Sequence, residues 1–65
     1  MGSTLKEIRR SRGLSQARLS DLSGVHRVTI ARYEAGTNEP TAKNLAKLAK
    51  ALGVTMEDLM REKAG

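Results

Sequence analysis

The chain has no cysteine. Disulfides and thiolate-bound zinc are thereby excluded, and the composition fits a reducing compartment such as the cytoplasm. His26 is the only histidine, so no second imidazole exists to complete a common metal site or catalytic triad. No catalytic residue, metal ligand or cofactor site is expected, and the chain does not read as an enzyme. Apolar residues come only in short runs, which excludes a membrane-spanning helix. No basic-then-apolar leader reads as a secretion signal, and no alternating run suggests a strand.

What is present is basic charge and helical periodicity. Lysine and arginine number 12 against seven acids, a formal net charge of +5 on 65 residues. Such a balance fits a polyanionic partner or simple solubility, and charge alone does not separate the two. The length predicts one domain over residues 1–65, near the lower size at which a chain folds without staples. Residues 1–3 are set aside as a disordered start or a cloning remnant.

Thr4 and Glu7 have capping-box spacing, which predicts a first helix from Leu5, with Leu5 and Ile8 inward and Gly13 as its left-handed stop. Leu14 then folds back over that end. Ser15 caps a second helix, QARLSDLS, with Ala17 and Leu19 inward and Gly24 ending it, and Val25 tucks in behind the turn. A third helix is predicted from about His26 to Ala35, closed by Gly36. After the polar loop TNEP, Thr41 caps AKNLAKLAKAL, in which Leu45, Leu48, Ala49 and Leu52 form one stripe. Gly53 ends that helix. Thr55 caps a last short one, whose apolar side is Met56, Leu59 and Met60, serving as core or as a dimer surface. The expected fold is a compact all-α domain of five helices.

The third helix carries the chemistry. At 100° per residue, Ile30 and Tyr33 share one side with His26 and face the core or its margin. Val28, Ala31, Arg32 and Ala35 lie opposite, with Arg27 and Thr29 at the flanks. A solvated helix face favours lysine and glutamate, whereas this one offers small residues and long arginines. That selection suits a DNA major groove. Small side chains let the backbone approach, arginine donates two hydrogen bonds to guanine O6 and N7, and a valine methyl meets a thymine methyl.

GLSQARLSDLSGVHRVTIARYEAGTNEP resembles the helix-turn-helix of the phage-repressor and Cro (lambda-repressor-like) family. The marks are Leu14-Ser15-Gln16 opening the second helix, Ser20 facing the partner helix, Gly24 in the turn, Ile30 in the recognition helix, Tyr33-Glu34 near its end and Gly36 after it. The resemblance runs from Leu5 to about Met60. It implies base contacts from Arg27, Val28 and Arg32, and phosphate or supporting contacts from Gln16, His26, Thr29, Lys43 and Asn44. Gln16 is also expected to buttress recognition-helix side chains. Arg9 and Glu34 both lean inward on their helical wheels, and the resemblance pairs them as a structural ion pair. Two departures stand out: His26 replaces the usual serine or threonine cap, and TNEP has an acid where the family's loop is often basic.

The implied partner is double-stranded DNA, bound by a monomer or a weak homodimer, with no membrane and no small-molecule ligand. The role is that of a transcriptional regulator, cytoplasmic and of bacterial or phage origin if natural, or of an engineered DNA binder on the same scaffold. The alternative is a protein-interaction, antitoxin-like helical module. Blander readings of single residues stand beside these: Val28 as the edge of the core, His26 as a partly buried helix start, and Lys43, Lys47 and Lys50 as a solvated face.

Overall fold

The computed structural model describes residues 2–61, with side chains from Thr4 onward. Five α-helices follow one another: α1 (Gly2–Ser11), α2 (Gln16–Ser23), α3 (Arg27–Ala35), α4 (Ala42–Leu52) and α5 (Met56–Met60). There is no strand among the described residues. The fold is the expected all-α domain.

Hydroxyl caps set three of the helix starts. Ser15, Thr41 and Thr55 each sit in extended backbone, and their hydroxyls accept from the amides of Arg18, Asn44 and Asp58. Each thereby satisfies one of the orphan donors of a first turn. At Thr55 the arrangement is reciprocal, because Asp58 accepts from the Thr55 amide at 3.1 Å.

One core joins all five helices. Leu5, Leu19, Ile30, Leu48 and Leu59 are fully buried, one from each helix. Val25, Tyr33, Leu45, Ala49 and Leu52 complete the cluster, with Ile8, Leu14, Val54 and Met56 packed around it. α1 lies against α3 and α5, while α2 lies against α3 and α4. The recognition-helix candidate α3 is therefore held from two sides.

Three expectations are corrected here. The first helix starts at Gly2, not Leu5. Thr4 lies inside it, and its hydroxyl donates to the Arg61 carbonyl at 2.6 Å instead of capping. Ala17 is exposed although it was placed inward; in a helix of only two turns, Leu19 alone fills the core side. Met60 is 59 % exposed, because α5 ends there and a single buried leucine, Leu59, anchors so short a helix. Arg12 adds a tie that spacing did not reveal: its Nε donates to the Leu52 carbonyl at the end of α4, at 3.0 Å.

Candidate nucleic-acid interface

The turn between α2 and α3 determines what α3 can present. Gly24 has φ of 78°, the left-handed conformation that L side chains disfavour, and its amide donates to the Ser20 carbonyl. Val25 follows and is buried, its amide donating to Ser23 Oγ at 3.1 Å. This one apolar side chain behind the turn anchors the start of α3 to the core.

His26 is the N-cap of α3, with its Nδ1 accepting from the Val28 amide at 3.1 Å. The expectation that His26 shares the inner side with Ile30 and Tyr33 fails, as does its reading as a partly buried residue. It lies outside the helix in non-helical backbone (φ −59°, ψ 141°), where a helical wheel does not apply, and it is exposed. The departure from serine or threonine is thus filled by an imidazole that makes the same bond.

Along α3 the two sides separate cleanly. Ile30 and Tyr33 are buried; Arg27, Val28, Arg32 and Ala35 are exposed; Thr29, Ala31 and Glu34 are half-buried. Val28 is 46 % exposed, too open for the edge of the core. All three candidate base readers are therefore exposed, Val28 and Arg32 on the side opposite Ile30 and Tyr33 and Arg27 at its flank. Ala17, Ser20 and Asp21 of α2 join His26 and Arg27 around a shallow depression beside the start of α3.

Behind that side lies a polar cluster built from three helices. Arg9 of α1 donates from Nε to Glu34 Oε2 at 2.6 Å and from Nη2 to Oε1 at 3.0 Å. The two side chains are 10 % and 4 % exposed. Arg9 Nη1 also donates to the Leu14 carbonyl at 2.7 Å, just ahead of the α2 cap. The hydrogen bond to Glu34 holds the Arg9 guanidinium pKa above its already high ordinary value, against the opposing effect of burial. Gln16, the first residue of α2, donates from Nε2 to Glu34 Oε1 at 3.1 Å. Gln16 is half-buried, and the expectation that it buttresses a recognition-helix side chain is met at Glu34, on the inner margin of α3.

At the start of α4, Lys43 is exposed and Asn44 half-buried. Asn44 Nδ2 donates to the Tyr33 hydroxyl at 2.9 Å, tying the α4 N-terminus to α3. Neither this bond nor the Gln16–Glu34 bond has a local sequence signal, since each joins residues in different helices. Arg10, Arg18, Lys47 and Lys50 are exposed as well. No group of potential metal ligands occurs among the described residues.

Comparison with known proteins agrees with this geometry. Residues 5–59 match the helix-turn-helix family model. The chain is 42% identical over 60 residues to the SPbeta prophage-derived uncharacterized HTH-type transcriptional regulator YonR of Bacillus subtilis, covering 92% of this chain and 56% of that protein. It is 37% identical over 60 residues to control protein C.BamHI of Bacillus amyloliquefaciens, covering 91% of this chain and 74% of that protein. Its fold superposes on the crystal structure of the restriction-modification controller protein C.AhdI from Aeromonas hydrophila with a TM-score of 0.86 and 38% sequence identity, covering 89% of this chain and 88% of that one. Against the regulators YonR and PuuR, the chain spans 56% and 33% of their lengths. With Gly24 in the turn between α2 and α3 and a family match over residues 5–59, the chain belongs to the helix-turn-helix family.

Proposed function

We propose that the chain is a sequence-specific double-stranded DNA-binding domain that lays α3 in the major groove and acts in transcriptional regulation. The observation that carries this reading is the outward side of α3. Arg27, Val28 and Arg32 are exposed there, Val28 and Arg32 opposite the buried Ile30 and Tyr33 and Arg27 at the flank, on a helix whose start is capped by His26 and anchored by Val25. A helix so braced offers its side chains to base edges with little freedom left to lose on binding.

In this reading Arg27 and Arg32 read guanines and Val28 meets a thymine methyl. Gln16, His26, Thr29, Lys43 and Asn44 make phosphate or supporting contacts, and the net charge of +5 supports the sequence-independent part of affinity. The activity is binding alone. The protein is cytoplasmic and forms one domain over residues 1–65. It is a monomer or a weak homodimer on DNA, with the exposed Met60 available to a second copy. Regulation of the kind named for its relatives is the output.

A salt titration of binding to duplex DNA tests the reading. Log affinity is expected to fall linearly with log salt, and Lys43→Ala to reduce the slope by about one. Affinity independent of salt would instead favour a protein partner on the same surface.

A further inference from the structure

The Arg9–Glu34 pair is more than a brace between α1 and α3, because a third side chain hangs from it. Glu34 Oε1 accepts from both Arg9 Nη2 and Gln16 Nε2. Arg9 meanwhile holds the Leu14 carbonyl, one residue before the α2 cap Ser15. The start of α2 is thus held twice: the backbone leading into it from α1, and its first side chain from α3.

The charge state of Glu34 decides which way the Gln16 amide faces. A carboxylate has no proton to donate, so only the nitrogen end of a glutamine can bond to it. Arg9 donates to both Glu34 oxygens, at 2.6 and 3.0 Å, so both serve as acceptors in this cluster. One N–H of Gln16 is committed inward, which leaves its second N–H as the donor that can leave the protein. Beside it are the amides of Gln16 and Ala17 at the α2 N-terminus; the next amide, of Arg18, is taken by Ser15. A DNA phosphate at this end of α2 would meet a pre-aligned donor.

We propose that Glu34 is a positioning residue for DNA binding: held by Arg9, it locks the Gln16 amide with an N–H directed outward to backbone phosphate. The inference rests on the DNA-binding reading and adds to it. The buried pair sets affinity for the DNA backbone, independently of the base-facing side of α3. A merely structural pair would stabilise the fold and leave Gln16 indifferent to it.

The test is a double-mutant cycle on a duplex of arbitrary sequence, where phosphate contacts dominate. Gln16→Ala is measured in the parent and in an Arg9→Met/Glu34→Leu background, which removes both charges and strands neither. Glu34→Gln serves as the companion background, because its neutral amide can present either end to Gln16 and so releases the lock. In the parent, Gln16→Ala is expected to weaken binding about tenfold, the scale of one hydrogen bond to a charged group. In either background the same change should cost less than about twofold if the two positions are coupled. Equal costs in parent and backgrounds, or no cost in the parent, would overturn the inference while leaving the DNA reading intact. No duplex binding by the parent even at low salt would defeat the DNA reading and this inference with it. A readout without DNA accompanies the cycle: NMR relaxation of the Gln16 side-chain amide in the free protein. A rigid amide that becomes mobile in Glu34→Gln supports the lock; a mobile amide in the parent refutes it.

Discussion

Removing either partner of the Arg9–Glu34 pair should come close to unfolding the domain, and the two removals should respond differently to pH. Both side chains are nearly enclosed, at 10 % and 4 % exposure. Breaking a buried pair by deleting one member typically costs about 3–5 kcal/mol, because the other charge is stranded. A domain of this length has only about 3–10 kcal/mol of stability in total. Glu34→Ala strands Arg9, whose guanidinium cannot shed its proton and keeps only the Leu14 carbonyl. Arg9→Ala strands a carboxylate, which can escape by taking up a proton. For an ordinary glutamate that escape costs about 3.7 kcal/mol at pH 7 and about 1 kcal/mol at pH 5. The sign follows from linkage: a buried acid that has lost its cation and keeps only the Gln16 amide has its folded-state pKa raised, so its penalty is present at high pH and fades as pH falls. Urea unfolding of both variants at pH 7 and pH 5 checks this. Arg9→Ala should recover up to about 2.7 kcal/mol relative to the parent on going to pH 5, and Glu34→Ala should recover none. A Glu34→Ala melt close to the parent's, or parallel pH responses of the two variants, would refute the reasoning.

Other perturbations follow from single contacts. Gly24→Ala should cost about 1–2 kcal/mol from backbone conformation alone, because nothing lies within 4 Å of the added methyl; a negligible loss in chemical denaturation would argue against the left-handed turn. Tyr33→Phe should cost about 1 kcal/mol through loss of the Asn44 bond, and an NMR spectrum with an unmoved Asn44 side-chain amide would contradict it. The Asp58 carboxyl is held below the usual aspartate range by the Thr55 amide and hydroxyl. Its contribution is therefore full above the ordinary aspartate pKa and lost as pH falls through the folded value. Asp58→Asn should flatten that acid limb of the stability profile, and an unchanged limb would remove Asp58 from it.

Much of this architecture is legible in the residues themselves. A serine or threonine with its partner three residues on marks a cap wherever an apolar run follows, and Ser15, Thr41 and Thr55 obey that rule. The leucine stripe of α4 needs one periodicity, and its core positions are buried as spaced. Thr4 misled because a cap signature says nothing of a distant carbonyl, and the carbonyl of Arg61 took its hydroxyl. His26 misled because helical geometry was extended one residue past the true start of α3. Ala17 and Met60 sit in helices of eight and five residues, too short for periodicity to average out. The Gln16–Glu34 and Asn44–Tyr33 bonds depend on how helices are docked, a tertiary outcome with no local spacing.

The central claim is that one side of α3 reads base edges. Selection of bound duplexes from a randomised pool, run in parallel on the parent, Arg27→Ala and Arg32→Ala, tests it most directly. The account predicts a defined motif containing guanines, with each arginine deletion relaxing its own position at a cost of about 1–3 kcal/mol. No enrichment by the parent, or an identical motif from all three proteins, would contradict it.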